Sequence, residues 1–168
     1  MLRSPLSRSS RSAVMSRAVL FVATGAYAGL SPVGPGTVGS LLGVPLALLL
    51  WGITVRSLWA SALVGGAVLA GGVWVAGEAE RLVGEKDSPR IVIDEIIGFA
   101  IATYMLEPSA GSYGSAFFLF RLFDIVKPFP ARHADRRVRG GVGIVLDDVV
   151  AGAYANAAAR VFLWLSAR

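Results

Sequence analysis

The chain contains no cysteine and only one histidine, His133. The first absence removes disulfides, thiolate metal sites and cysteine nucleophiles. The second removes any histidine-rich metal centre, together with phosphatases that depend on a histidine nucleophile and its partners. Charge is also scarce. Asp, Glu, Lys and Arg make up 16% of the 168 residues, against about 25% in soluble domains. Hydrophobic residues reach 55% and the mean hydropathy is +0.65. That composition leaves too little polar surface to cover a water-soluble globule, and an integral membrane protein of one domain is expected. No Gly-Lys-Ser/Thr follows the glycine-rich stretch, so there is no Walker A loop. Neither an Asp-x-Asp-x-Thr/Val nor an Asp-Gly-x₂-Ala-Arg sequence occurs.

What charge there is has a pattern. The net charge is +5 and the pI near 10.2. Most of the basic residues cluster in the N-terminal tail, between Arg81 and Arg90, and between Arg121 and Arg139. Each group flanks an apolar segment, as positive-inside loops do. None forms the dense patch with stacking aromatics that nucleic acid requires.

Along the chain, the Arg- and Ser-rich residues 1–16 are expected to form a disordered tail, and 17–168 a single helical domain. A signal peptide ending at Ala26-Tyr27-Ala28 is a competing reading of the first apolar run. Residues 31–40, Ser-Pro-Val-Gly-Pro-Gly-Thr-Val-Gly-Ser, read as a loop able to receive an anion on backbone N–H groups, with Thr37 and Ser40 adding hydroxyls. The rival reading makes it a helix-breaking connector with Ser40 as N-cap. Apolar helices are expected over 41–53, 57–76, 96–106, 115–126 and 149–165, with a hydrophilic connector over 78–90. The expected fold is all-α: a compact bundle of about six helices, several membrane-embedded, with the Pro/Gly-rich loop after the first. If each apolar segment after Ser40 crosses once from a cytoplasmic N-terminus, all the polar motifs meet on the cytoplasmic face.

Those motifs are acids and bases set among apolar residues. Asp94 and Glu95 interrupt Ile91-Val-Ile-Asp-Glu-Ile-Ile97, Asp124 lies between Arg121 and Lys127, and Asp147-Asp148 precede the last apolar run. An unpaired buried carboxylate costs several kcal/mol or more, so these groups must be paired, hydrated or bound to a cation. Asp94, Glu95, Asp124, Asp147 and Asp148, with Asp87 as a further candidate, supply the all-oxygen ligands that Mg²⁺ prefers. Arg121, Lys127 and Arg132, with Thr37 and Ser40, supply donors for phosphate. Carboxylates, a divalent metal and basic residues together make a phosphoryl-transfer centre. Either water or an aspartate could attack phosphorus.

Four blocks then carry a resemblance: Ser31-Pro-x₂-Pro-Gly-Thr-x-Gly-Ser-Leu41 with Pro45; Ile91-Val-Ile-Asp-Glu-x₂-Gly98; Phe120-Arg-x-Phe-Asp-x₂-Lys-Pro-x-Pro130; and Gly140-Gly-x-Gly-Ile-x₂-Asp-Asp-x₂-Ala-Gly152. In this order the chain resembles the phosphatidylglycerophosphatase A family over roughly residues 25–155. The resemblance implies an all-α enzyme of the bacterial inner membrane. It would be Mg²⁺-dependent and would remove the terminal phosphate of phosphatidylglycerophosphate in phosphatidylglycerol and cardiolipin supply. It also implies that Asp94, Glu95, Asp124, Asp147 and Asp148 build the active site. Two other readings compete: a phosphatase of another anionic lipid or a soluble phosphate, and a small ion-coupled transporter. The transporter requires acids near the bilayer midplane, whereas these lie at segment ends beside basic loops.

Overall fold

The computed structural model describes residues 6–127, 129, 138, 140–166 and 168, with side chains from residue 13 onward. Among them there are six α-helices and no strand: α1 (Leu6–Ala23), α2 (Pro35–Thr54), α3 (Leu58–Val83), α4 (Ile93–Ala102), α5 (Ala110–Val126) and α6 (Gly141–Ser166). A short 3₁₀ turn, Ala28–Leu30, joins α1 to the loop before α2.

The helices begin earlier than the apolar periodicity suggests. α2 starts at Pro35, with its ring at the first helical position where a missing N–H costs nothing. Gly36, Gly39 and Gly43 do not break this helix, because they are the residues at which α4 comes close. A Cβ on Gly39 would lie 2.8 Å from the Val92 Cβ, and one on Gly43 would lie 2.8 Å from the Ile96 carbonyl oxygen. α6 likewise starts at Gly141 rather than near Val149, and Gly141 packs against the backbone of α3 at Val73 and Gly77. α3 runs on to Val83, carrying Glu78 and Arg81 as an ion pair one turn apart. The hydrophilic connector is therefore shorter than expected and begins at Gly84, a left-handed cap. α5 begins at Ala110 on a capping box formed by Ser109 and Ser112. Helical backbone from Leu6 also runs through most of the stretch expected as an irregular tail. Val19 and Ala23 of α1 are buried in the core with Ala76 and Ala79 of α3.

α2, α3 and α6 are long and apolar enough to cross a membrane. α4 has ten residues, about 15 Å of helix, and is too short to span. The five crossings expected from the apolar runs thus become three helices of spanning length, with α4 held inside the bundle. α2 and α3 form the expected hairpin, joined by a hydrogen bond between the Thr54 and Ser61 hydroxyls (2.7 Å). α2, α4 and α6 run parallel: Gly39 and Gly43 meet Val92 and Ile96, while Gly98 meets Asp148 and Gly152. α5 runs against them, so its C-terminal end meets the N-terminal ends of the other three. Phe99, on α4, forms edge-to-face contacts with Tyr113, Phe117 and Phe120 of α5 (centroids 6.0–6.5 Å apart) and fixes that arrangement.

Candidate active site

Four helix ends meet at one end of the bundle, and each contributes polar groups. α4 brings Asp94 and Glu95 in its first turn, pinned by the buried Ile91 and Val92 before it. The Val92 N–H donates to the Ala23 carbonyl (2.9 Å), tying this end to α1. α6 brings Asp147 and Asp148 in its second turn, and α5 brings Arg121, Asp124 and Lys127. The α2 end contributes backbone. Its N-cap, Gly34, is left-handed (φ 55°) and has no side chain to cap with. The N–H groups of Gly36 and Thr37 therefore have no partner within the helix.

Asp94, Glu95 and Asp148 form the tightest group. One carboxylate oxygen from each lies within 4.8 Å of the others. Asp94 Oδ1, Glu95 Oε2 and Asp148 Oδ2 are buried and have no hydrogen-bond partner. Burial, then repulsion from Glu95, pushes the Asp94 carboxyl well above the usual carboxylate range. Burial also raises Glu95, partly offset by hydrogen bonding and by the Arg121 guanidinium. Three carboxylates clustered this closely, each with a buried oxygen that has no hydrogen-bond partner, are a poor arrangement for an empty core. They are a good one for a hard divalent cation.

The remaining acids are held at the edge of this group by bases. Asp124 is close enough to Glu95 and Asp148 to repel charge on both. Its Oδ2 lies 2.8 Å from Arg121 Nη1, an ion pair one turn apart on α5. Arg121 thus faces Asp124 on one side and Glu95 on the other. A Cβ on Gly36 would lie 2.5 Å from Glu95 Oε1 and 3.1 Å from Arg121 Nη1. The α2 terminus is packed directly onto the acid–base cluster. Lys127 reaches off α5 to α6. It caps the helix in a left-handed conformation (φ 46°) and donates from Nζ to Asp147 Oδ2 (2.6 Å).

Among the residues expected to bind phosphate, Thr37 is exposed at the α2 terminus beside Gly36. Ser40 is fully buried and donates to the Gly36 carbonyl (2.8 Å), so its hydroxyl is used inside α2 and is not a helix cap. Arg132 lies outside the described residues. Asp87 is exposed in the turn between α3 and α4, with positive φ, and does not join the acid group. An apolar cavity of about 240 Å³ lies deeper, between α2, α3 and α4, but carboxylates and basic groups are missing from its lining.

Sequence reasoning overlooks Asn156 and Arg160. They sit one turn apart in the apolar α6 and reach across to α4. Two polar residues at i, i+4 in an apolar helix are the available signal.

The family model described as Phosphatidylglycerophosphatase A matches residues 21–163. The chain is 36% identical over 139 residues to "Phosphatidylglycerophosphatase A" of Escherichia coli, covering 82% of this chain and 79% of that one. It is 33% identical to the Haemophilus influenzae protein of the same name, over 80% and 82% of the two chains. It is also 35% identical to a Bacteroides thetaiotaomicron protein named "Putative phosphatidylinositol-3-phosphatase", over 87% and 94%. No solved structure matches. The chain belongs to the phosphatidylglycerophosphatase A family and is a phosphomonoester hydrolase.

Proposed function

We propose that this protein hydrolyses phosphatidylglycerophosphate to phosphatidylglycerol and phosphate, with Mg²⁺ held by Asp94, Glu95 and Asp148. The observation that carries the metal assignment is the clustering of three carboxylates, each with a buried, unpartnered oxygen. Family membership and the two relatives named for this activity carry the substrate. In the reaction phosphorus gains an oxygen from water and the terminal ester bond breaks, leaving the glycerol oxygen to take a proton.

When bound, Mg²⁺ supplies Lewis-acid charge to the phosphate oxygens. The chain's own groups do the rest. Arg121, facing both Asp124 and Glu95, presents its remaining N–H donors to the non-bridging oxygens. The Gly36 and Thr37 N–H groups and the Thr37 hydroxyl receive the same anion at the α2 terminus. Asp124 keeps Arg121 in place, and Lys127 adds positive charge beside Asp147. The three apolar helices support a position of this end of the bundle at a bilayer surface, where a lipid head group can enter while its acyl chains stay in the membrane. The basic segments that flank the apolar runs of the sequence support a cytoplasmic orientation in the bacterial inner membrane.

A second reading is favoured by the Bacteroides relative: a phosphate on the inositol of a phosphatidyl lipid. Both candidate substrates carry a phosphomonoester on a polyol. The deciding experiment measures phosphate release by the purified chain in detergent from each lipid, with Mg²⁺ and then with EDTA. Faster, Mg²⁺-dependent release from phosphatidylglycerophosphate is expected. Faster release from phosphatidylinositol 3-phosphate would move the assignment to the second reading, and release that persists in EDTA would remove the metal.

A further inference from the structure

The C-terminal end of α4 is held by side chains of its own cap and of α6. The last four carbonyls of a helix need partners beyond its regular turns. Here they belong to Phe99, Ala100, Ile101 and Ala102, of which Phe99 and Ile101 accept from the backbone N–H groups of Thr103 and Tyr104 (both 3.1 Å). The Thr103 hydroxyl donates to Phe99 (2.9 Å) and Ala100 (3.2 Å). The Asn156 amide, from α6, donates to Ile101 (3.3 Å) and Ala102 (2.9 Å), and also to the Tyr104 carbonyl (2.9 Å). Its orientation follows from chemistry: Oδ1 accepts from Arg160 Nε (2.8 Å), and a flipped amide would set oxygen against three carbonyls. Arg160 also donates to the Tyr104 carbonyl (2.9 Å), placing a positive charge at the negative end of the α4 dipole.

The same two helices carry the acids. Asp94 and Glu95 lie at the other end of α4, and Asp148 lies two turns before Asn156 on α6. Between the acids and the amide the helices touch backbone to side chain. A Cβ on Gly98 would lie 3.0 Å from the Asp148 Cβ, and one on Gly152 would lie 3.1 Å from the Ile101 Cβ. Those contacts set how close the two helices come, and the packing of Ile97, Ile101, Ile144, Val145 and Val149 in a shared core resists sliding along the axis. A fork of hydrogen bonds to named carbonyls opposes it directly.

We propose that Asn156, with Arg160, is a positioning residue that fixes the axial register of α4 on α6 and thereby the spacing of Asp94 and Glu95 from Asp148. The proposal rests on the reading of that trio as a metal site. Asn156 touches neither substrate nor metal; it acts through α4.

The test uses Mn²⁺ as the probe, titrated into the purified metal-free full chain in detergent and followed by its EPR signal. Asn156→Ala is expected to weaken Mn²⁺ binding about 10- to 100-fold, as loss of a group that orients ligands does. Phosphate release by the same variant is expected to return to within about twofold of the wild type at saturating Mg²⁺, since only the affinity is impaired. Asn156→Gln, which keeps the amide, is expected to recover part of the Mn²⁺ affinity. Wild-type Mn²⁺ affinity in Asn156→Ala, with binding abolished in Asp148→Asn, overturns the proposal and leaves the metal site standing. Wild-type affinity in Asp148→Asn overturns both. A loss of turnover that Mg²⁺ does not restore makes Asn156 a general structural element and also overturns it. Should Asn156→Ala fail to fold, Arg160→Met carries the test, and unchanged Mn²⁺ affinity there is the overturning result.

Discussion

Lys127 Nζ lies 2.6 Å from Asp147 Oδ2, on a helix cap that holds the lysine in a left-handed conformation. That one pairing separates two adjacent aspartates. Asp147 is neutralised by a cation, while Asp148 keeps an unpartnered Oδ2 and clusters with Asp94 and Glu95. The two should therefore respond differently to the same substitution. Asp148→Asn is expected to lower turnover on the order of 10³-fold or more, as loss of a group at the reacting centre does. Asp147→Asn is expected to lower it only about 10- to 100-fold. Phosphate-release assays on both variants, with expression and detergent extraction as controls, check the order. Equal losses would contradict the division.

The left-handed Lys127 leads to a second comparison. A residue with a Cβ pays roughly 1–2 kcal/mol for this conformation, and glycine does not. Lys127→Ala and Lys127→Gly both remove the ammonium, so both should lose activity to the same extent. Lys127→Gly should nonetheless be the more stable, by about 1 kcal/mol. Thermal unfolding of the two variants side by side measures the difference.

Gly36 offers a test of how tightly α2 is packed on the cluster. Alanine favours a helix over glycine by about 1 kcal/mol, so Gly36→Ala on an open surface would stabilise. Here the added methyl would lie 2.5 Å from Glu95 Oε1 and 3.2 Å from Arg121 Nη2. The expected outcome is at least about a tenfold loss of kcat/KM. An active Gly36→Ala would show that the cluster can yield.

A pH series follows from the buried acids of α4. The carboxyls of Asp94 and Glu95 are raised in the folded chain, so they retain protons that the unfolded chain gives up near pH 4. The folded state then binds more protons, and stability must fall as pH rises from that value through the folded pKa of each group. The metal-free protein in EDTA should have a lower Tm at pH 8 than at pH 5. On the proposed metal assignment Mg²⁺ takes the deprotonated carboxylates, so its stabilising effect should be larger at pH 8. Tm values at the two pH values, with and without Mg²⁺, give the sign.

The acids at the centre are legible in the sequence because charge in an apolar chain is conspicuous. Asp94, Glu95 and Asp148 stand out on that ground alone, and the folded chain brings them together. The helix starts are not legible, for a physical reason that Pro35 and Gly141 illustrate. Proline and glycine are read as breakers, yet Pro35 sits where a helix tolerates it and Gly141 sits where α3 comes too close for a side chain. The same reading puts Ser40 at a helix start, whereas it lies one turn inside α2, bonded to Gly36. The pairing of Lys127 with Asp147, twenty residues away, depends on the antiparallel docking of α5 on α6. Spacing within α5 suggests Asp124 as its partner, and local spacing carries no information about the neighbouring helix. Asn156 is signalled only by its i, i+4 spacing with Arg160 in an apolar helix, because its carbonyl partners on the neighbouring helix leave no trace in side-chain patterns.

The acid trio draws on the fourth and sixth helices, and Arg121 and Lys127 on the fifth. A growing polypeptide emerges N-terminus first. Until α6 has been made and docked, Asp94 and Glu95 have no Asp148 and Lys127 has no Asp147. A ribosome-bound fragment ending before α6 therefore carries an incomplete centre, however well its first helices are inserted. On the proposed reading of this centre, catalytic competence waits for the docking of the last helix.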